Sequence, residues 1–314
     1  SGSPLQFESL LEIISDENFH FPNLVSQLSS AIHPSKISIN SNGFPWESSA
    51  ILMGILNLTP DSFYDGGNYN TVDRAITHAN TMIEAGADII DVGGESTRPS
   101  ATPISSQNEL NRILPTIQEL SESDILLSVD TRKAKVADAA INAGANIIND
   151  VSGLSDPQMR FVASDFDVPI VLTHSINTPV DLTHIPTYHD VVEEIISCLS
   201  NLILRTENAG LDRSKIIIDP GIGFGKTPSQ NFEILRRLDE FKTLGCPILI
   251  GHSHKSLFSS LKIDPKHRLS ATIATTAMAV CNGASIIRAH DISHNLDAIR
   301  IAETLKEFPY PIDL

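Results

Sequence analysis

Eight short apolar runs, each followed by a segment with helical periodicity, constrain the fold of this chain more than any other feature. The runs start at residues 51, 87, 125, 146, 169, 215, 247 and 285, at intervals of 21 to 46 residues. Apolar runs that alternate with amphipathic helices are typical of parallel strands covered on both faces. We therefore predict an α/β fold, a (β/α)8 TIM barrel with eight parallel strands. A doubly wound open sheet is the alternative, because it uses the same alternation.

The chain divides into two parts near residue 48. Residues 48–314 hold all eight units and form the predicted (β/α)8 catalytic domain. Residues 1–47 are expected to be an N-terminal extension or linker, in which KISINSNGFPWE is a candidate hairpin that plugs the bottom of the barrel.

Composition narrows the partners and the compartment. The formal net charge of -16 argues against nucleic acid or an anionic membrane surface as a partner. The three cysteines, Cys198, Cys246 and Cys281, are too few and too scattered for a disulfide framework. No apolar run approaches the length of about 18 residues that a membrane span needs. We expect an intracellular soluble protein, cytoplasmic or mitochondrial, that acts on small molecules.

Every apolar run ends on, or just before, a polar side chain. These eight side chains are Asn57, Asp91, Asp130, Asn149, His174, Asp219, His252 and Arg288. In a barrel they would surround the C-terminal rim, where (β/α)8 enzymes place their catalytic groups. A single such residue is often a helix cap, but eight together predict a functional rim.

Three of these side chains follow especially apolar strands. Asp130, Asn149 and Asp219 come after LLSV, NII and III. A buried carboxylate needs a hydrogen-bond donor, and no fixed lysine or arginine neighbour is evident nearby in the sequence. We expect a ligand rich in N–H donors at this position. Bonds to loop backbone amides are the alternative for each acid.

Basic side chains gather in the last two units. Arg288 and His290 are two residues apart on an extended chain, so both face the same side. Together with Lys255 and Arg98, they could hold a phosphate or pyrophosphate through charge-assisted hydrogen bonds. Ser256 opens a candidate short helix whose free N–H groups favour an anion. A solvated surface face is the alternative for each residue taken alone.

Two further motifs suggest other ligands. The sequence DPGIGFGKT resembles a nucleotide-binding P-loop ending at Lys226, but Pro220 occupies the position of the first glycine, so the spacing is wrong. The sequence HSH places His252 and His254 two residues apart, a spacing that can bind zinc. A zinc hydrolase that uses these two histidines and His174 therefore stays open.

Taken together, the motifs resemble those of dihydropteroate synthase. MGILNLTPDSFYDGG at 53 and DIIDVGGESTRPSA at 88 are similar to that family's first two loop signatures, and SVDT, NDVSG, DPGIGFGKT and RAHD follow in order. The resemblance covers residues 50 to 306. It implies a (β/α)8 barrel that joins 6-hydroxymethyl-7,8-dihydropterin pyrophosphate to p-aminobenzoate, with Mg2+ assistance, by an SN1-like displacement.

The resemblance also implies roles for individual residues, group by group. The catalytic residues would be Asp61, Asp65, Lys255, Arg288 and His290. The pterin would bind to Asp130, Asn149, Asp219 and Lys255. The pyrophosphate would bind to Asn57, Thr97, Arg98, Arg288 and His290, with Asn57 also touching the metal. The p-aminobenzoate pocket would contain Phe63, Ser96, Pro99, Phe224 and Ser256.

The resemblance also implies a homodimer through barrel helices. Because eukaryotic family members are often fused behind a pterin pyrophosphokinase domain, residues 1–47 are expected to be part of such a linker. This chain departs from the family pattern at His254, where an arginine is common, at Thr173-His174-Ser175, where Met-His-Met is common, and at Ala289, where valine is common. A pterin-binding methyltransferase barrel and a non-catalytic pterin-binding module are the alternatives within this resemblance.

Overall fold

Eight parallel strands form where the sequence has its eight apolar runs. The computed structural model describes residues 50–59, 71–97, 101–176, 178 and 186–307, so the extension at 1–47 and its predicted hairpin lie outside the described residues. The strands are β1 Ile51–Asn57, β2 Ile89–Gly93, β3 Leu126–Asp130, β4 Ile147–Asp150, β5 Ile170–Thr173, β6 Ile216–Asp219, β7 Leu249–Ile250 and β8 Ile286–Ala289.

The strands close into a barrel. Their order is β6-β5-β4-β3-β2-β1-β8-β7, and every neighbouring pair is parallel. The two ends of this order meet through a parallel bridge between Ile218 and Ile248, and Ile218 N donates to Pro247 O at 3.0 Å. The predicted TIM barrel is confirmed, and the open-sheet alternative is wrong because the end strands are joined.

An α-helix follows each strand and covers the barrel. The helices are α1 Thr71–Glu84, α2 Ser106–Leu120, α3 Ala134–Asn142, α4 Met159–Asp165, α5 Val191–Glu207, α6 Pro228–Arg236, α7 Arg268–Cys281 and α8 Ile292–Glu307. The helical pattern predicted beyond α6 continues as a 3-10 helix, Leu238–Leu244, after Arg237 leaves the helical region. Within the described ranges, every helix is too short or too polar to cross a bilayer.

The pleat of the strands separates two apolar layers. Side chains on one face of each strand fill the lower barrel interior, where Ile51, Met53, Ile89, Ile147, Val171, Ile217, Leu249 and Ile286 form one buried cluster. Side chains on the other face, such as Leu52, Ile90 and Ile148, join the helices in a second, larger cluster. Burying a side chain of this size stabilises a fold by about 1.5–3 kcal/mol, so both layers hold the strand register firmly.

The same alternation places a polar layer above the interior cluster. Two residues after Ile89 stands Asp91, and Asn149, Asp219 and Arg288 follow Ile147, Ile217 and Ile286 at the same spacing. Because side chains two residues apart on a strand share a face, these polar groups point into the upper barrel. The fold therefore places these polar side chains in a chamber with an apolar floor.

Candidate active site

One guanidinium joins the acids of the polar layer. Arg288 Nε donates to Asp91 Oδ2 at 2.6 Å, and Nη2 donates to Asp130 Oδ2 at 2.7 Å. Asn149 Nδ2 donates to the same oxygen of Asp91 at 3.0 Å. The expectation that the acids lack a fixed basic neighbour is wrong, because β8 pairs with β1 and brings Arg288 within reach of β2 and β3.

Negative charge still dominates this layer. Burial raises the pKa of Asp130 to about 7, Arg288 opposes the rise, and the nearby acids Asp91, Glu109 and Asp150 add to it. Asp91 is fully buried, and its Oδ1 has no hydrogen-bond partner among the described residues. The layer thus has more acceptor oxygens than donors, and a ligand rich in N–H groups would satisfy the unpaired acceptors.

Asp219 ends β6 at the edge of the chamber. Its side chain is 6% exposed, and Oδ1 accepts a hydrogen bond from Gly221 N at 2.7 Å. Burial raises the pKa of Asp219, whereas the charge of Lys255 and the Gly221 bond lower it. One carboxylate oxygen of Asp219 is therefore bonded to a loop backbone amide, which was the alternative expected for each of these acids.

Lys255 connects Asp219 to an aromatic wall. Its Nζ donates to Ile222 O and lies 4.6 Å from the centre of the Phe224 ring, within cation–π range. Burial lowers the pKa of Lys255 to about 8, with Asp219 opposing this shift. The next residue, Ser256, is exposed and begins a 3-10 helix, Ser256–Leu261. The lysine thus stands between a buried acid and a ring.

A second polar cluster lies in the segments that follow β7 and β8. Ser253 Oγ lies 3.0 Å from His290 Nδ1, and the rings of His254 and His290 meet edge-on with centroids 5.8 Å apart. His254 Nε2 lies 2.5 Å from Asp291 Oδ2. His254 also adopts a positive φ of 54°, a region sparsely populated by residues other than glycine. The side chain that departs from the family pattern is therefore fixed beside His290.

Asn57 stands at the end of β1, next to Gly93 of β2. A Cβ atom at Gly93 would lie 3.6 Å from Asn57 Oδ1 and 3.6 Å from Asp130 Oδ2, so the glycine leaves room between the two oxygens. Ser96 and Thr97 follow in the same loop and are half-buried. The other predicted site residues, Asp61, Phe63, Asp65, Arg98 and Pro99, lie outside the described residues.

Sequence reasoning missed a charged network that supports the second loop. Glu95 Oε1 accepts from Ile104 N at 2.8 Å, and Glu95 Oε2 accepts from Arg132 Nε at 2.8 Å. Lys133 bridges Glu95 and Glu109, and Arg132 Nη1 donates to Thr178 O at 2.8 Å. The sequence signal for this network was the charged pair Arg132-Lys133, which comes shortly after the third strand. Sequence reasoning placed Asp91 at the rim but assigned it no ligand, although an acid inside an apolar run was a signal for one.

His174 and His252 lie on the opposite face of their strands from the chamber. His252 Nε2 lies 3.0 Å from Thr272 O and 3.0 Å from Thr276 Oγ1, both in α7. Burial lowers the pKa of His252 to about 4 and that of His174 to about 3. In the ranges that the structure describes, no three His, Cys, Asp or Glu side chains are grouped to hold a metal ion. The zinc-hydrolase alternative therefore finds no support.

The fold and this chamber define a barrel enzyme, because the polar side chains meet at the carboxyl ends of the strands. The sequence profile described as "pterin binding enzyme" matches residues 53–290. The chain therefore belongs to the pterin binding enzyme family.

Several relatives have names that agree with this family. Dihydropteroate synthase of Escherichia coli K12 is 42% identical over 254 residues, which cover 80% of this chain and 90% of the relative. The structure of dihydropteroate synthase from Clostridium difficile, solved in the presence of pteroic acid, has a TM-score of 0.79 and 42% identity, and the match covers 84% of this chain and 100% of that one.

A probable bifunctional folylpolyglutamate synthase/dihydropteroate synthase of Haloferax volcanii is 51% identical over 259 residues, or 82% of this chain. This chain spans only 31% of that relative's length.

Proposed function

We propose that this chain is a dihydropteroate synthase, a transferase that joins 6-hydroxymethyl-7,8-dihydropterin pyrophosphate to p-aminobenzoate. The observation that carries the proposal is the meeting of acceptor and cationic side chains at the top of the barrel, namely Asp91, Asp130, Asn149, Asp219, Lys255 and Arg288. The names of the Escherichia coli and Clostridium difficile relatives support the same activity.

The chamber offers what a pterin ring requires. We assign the oxygens of Asp130, Asn149 and Asp219 to the N–H edge of the ring, and the Lys255 ammonium to its carbonyl oxygen. The free oxygen of Asp91 adds one further buried acceptor beside Asn149. An analogue without these N–H groups would leave several buried acceptors unpaired, which gives the site its selectivity.

The pyrophosphate end of the substrate is assigned to the cationic side of the chamber. Arg288 and His290, with Thr97 and Arg98 of the second loop, hold the leaving group. In the proposed SN1-like displacement, the C–O bond breaks and its electron pair departs with pyrophosphate. The arylamine nitrogen then forms a bond to the methylene carbon and loses one proton. The loop carboxylates Asp61 and Asp65 are assigned to stabilise the transient positive charge.

Asn57 is the residue proposed to hold Mg2+. Its amide oxygen is half-buried and faces the space that Gly93 leaves open, and oxygen is the ligand type that Mg2+ prefers. Mg2+ is usually held by one or two protein oxygens together with substrate phosphates, so a single residue suits it. When bound, the ion would neutralise charge that develops on the leaving pyrophosphate.

The p-aminobenzoate pocket is assigned to the side of the chamber that Phe224 forms. Ser256 is assigned to the carboxylate of p-aminobenzoate, and Phe63, Ser96 and Pro99 are assigned to the facing loops. The cation–π contact of Lys255 with Phe224 places this wall next to the proposed pterin carbonyl site. Water must be kept from the transient cation, so the loops are proposed to close over both substrates.

Formation of 7,8-dihydropteroate tests the proposed function directly. The purified chain is incubated with both substrates, and product is measured by chromatography with Mg2+, after chelation, and after Mg2+ or Zn2+ is added back. We expect product only when both substrates are present, loss of activity on chelation, and recovery with Mg2+. Methyl transfer from methyltetrahydrofolate without pteroate would favour the methyltransferase alternative. Tight pterin binding without turnover would favour the non-catalytic module.

A homodimer is proposed through the outer faces of α7 and α8. Met278, Ile301 and Leu305 are 61%, 60% and 65% exposed, and the two helices run side by side, with Cys281 Sγ 4.0 Å from Ala302 O. Large apolar side chains grouped on adjacent helices are typical of subunit contacts. We expect Ile301→Glu to convert a dimer to a monomer in light scattering. Leu204→Glu, on the exposed face of α5, is the matched control and should leave the mass unchanged.

Fusion and compartment remain proposals. The Haloferax volcanii relative combines a synthase with a folylpolyglutamate synthase by name, whereas the resemblance implied an upstream pterin pyrophosphokinase. We propose the pyrophosphokinase fusion and a cytoplasmic or mitochondrial compartment. Sequencing of the complete transcript and imaging of the tagged native protein test these two points separately.

A further inference from the structure

Lys226 is a buried lysine to which the proposed reaction gives no role. Its side chain belongs to the loop between β6 and α6, and the residue is 8% exposed. Nζ donates to Gly221 O at 2.8 Å, to His174 O at 3.1 Å and to Phe224 O at 3.2 Å. An ammonium has three N–H donors, so these three carbonyls satisfy it completely.

The three carbonyl groups come from two different loops. Gly221 and Phe224 lie in the loop after β6, and His174 lies directly after β5. A positive φ of 74° at Gly221 lets the chain turn so tightly that a Cβ there would lie 2.0 Å from His174 O. The close approach of the two loops and the lysine between their carbonyls are therefore one structural feature.

Two further hydrogen bonds fix the loop after β6. Ile222 O accepts from Lys255, while Gly223 N donates to Asn231 Oδ1 at 2.8 Å. Carbonyls of this short loop thus face two ammonium groups, Lys255 inside the site and Lys226 behind it. The ring of Phe224 lies 4.6 Å from Lys255 Nζ, and the backbone carbonyl of Phe224 accepts from Lys226.

We propose that Lys226 is a positioning residue that ties the loop after β6 to the loop after β5 and thereby fixes Phe224 as a wall of the arylamine pocket. The placing of Phe224 in that pocket rests on the proposed function, whereas the tie between the loops does not. Lys226 touches neither substrate, so its effect reaches the reaction only through Phe224.

Replacement of Lys226 by methionine removes the tie while keeping the length of the side chain. Burial lowers the pKa of Lys226 to about 7, so an uncharged side chain removes a desolvation cost. This gain offsets part of the loss of three hydrogen bonds, so we expect Lys226→Met to fold. Lys215→Met is the matched control, because Lys215 donates to Asp167 O at 2.6 Å just before β6, at the opposite end of that strand.

Hydrogen exchange followed by mass spectrometry reports the tie itself. Two backbone amides report on these loops, because Phe224 N donates to Gly221 O and His174 N donates to Asp219 O in the folded chain. We expect faster exchange in the peptides around both amides in Lys226→Met and unchanged exchange there in Lys215→Met. Unchanged exchange in a folded Lys226→Met, or in Lys226→Gln if the first variant does not fold, would overturn the proposal.

Kinetics then separate positioning from a general loss of structure. We expect the KM for p-aminobenzoate to rise about tenfold in Lys226→Met because Phe224 is no longer held in place, while the KM for the pterin pyrophosphate changes less than about twofold. Lys226→Arg, which keeps the charge, should recover part of the loss. Equal changes in both KM values would contradict the assignment to Phe224. If the chain makes no pteroate at all, the exchange result still decides whether the tie exists.

Discussion

Replacing Arg288 with methionine should give the largest combined loss of stability and activity in this protein. The guanidinium is the cation bonded to both Asp91 and Asp130, and Asp91 is fully buried. Removing one partner of a buried ion pair leaves an uncompensated charge and costs about 3–5 kcal/mol. We expect the thermal midpoint to fall by about 5–10 °C. We also expect kcat/KM to fall by about a thousandfold or more, because the proposed support for the charge of the leaving group is then lost.

The pH dependence of Arg288→Met distinguishes this cause from a packing defect. Without the guanidinium, the pKa of Asp130 rises further above its already raised value of about 7. The folded state then binds a proton that the unfolded state has released, over the range from about pH 4 to that raised pKa. The parent chain holds the same proton below about pH 7, so the deficit of the variant should be largest above pH 7 and smaller at about pH 5.5. A deficit that is constant with pH would contradict the ion-pair explanation.

Two further variants control for this result. Arg213→Met removes a two-point pair with Glu207 on the outer surface, where the side chains are 41% and 29% exposed. Exposed pairs contribute about 0–1 kcal/mol, so stability and kinetics should hardly change. Arg288→Lys keeps one charge but lacks the planar fork that reaches two carboxylates. It should recover stability more than activity.

Replacing Asp219 with asparagine should weaken pterin binding strongly while the barrel stays folded. The asparagine keeps an oxygen that can accept from Gly221 N, so the loop keeps its backbone turn. The negative charge proposed to meet the N–H edge of the pterin is lost. We expect binding of 6-hydroxymethylpterin to weaken by about 2–4 kcal/mol, roughly 30-fold to 1,000-fold in Kd, as measured by calorimetry.

Asp212→Asn is the matched control for Asp219. Asp212 Oδ1 accepts from Ser214 N at 2.8 Å, the same two-residue turn, just before β6 instead of after it. Its replacement should leave the Kd unchanged. The thermal midpoint of Asp219→Asn should be equal to or higher than that of the parent chain, because a buried carboxylate is removed. Unchanged pterin affinity in Asp219→Asn would refute the assigned role.

The barrel could be predicted from the sequence because its two signals, the apolar runs and the helical periodicity between them, are local. Continuous apolar runs predict strands covered on two faces, and the eight strands start within two residues of the predicted runs, as β2 does at Ile89. The polar chamber could also be predicted, since Asp130, Asn149 and Asp219 stand at or next to the ends of strands, and the strand period of two fixes the face they occupy.

The hydrogen-bond partners inside the chamber could not be predicted from the sequence, because they depend on contacts between distant strands. The pair of Arg288 with Asp91 joins residues 197 positions apart and requires the closure of β8 onto β1. His174 and His252 were expected at the rim with the others. Their outward direction depends on where the pleat begins, which a short apolar run alone leaves undetermined.

The tight turn at Gly221 also restricts which substitutions this loop can accept. Any other residue there would adopt φ near +74° and bring its Cβ to 2.0 Å from the His174 carbonyl oxygen, a backbone atom that cannot swing aside. Mutation commonly defeats an inhibitor by changing a side chain that the inhibitor touches. An inhibitor that binds the backbone of this turn would instead contact a position where substitution disrupts the enzyme itself.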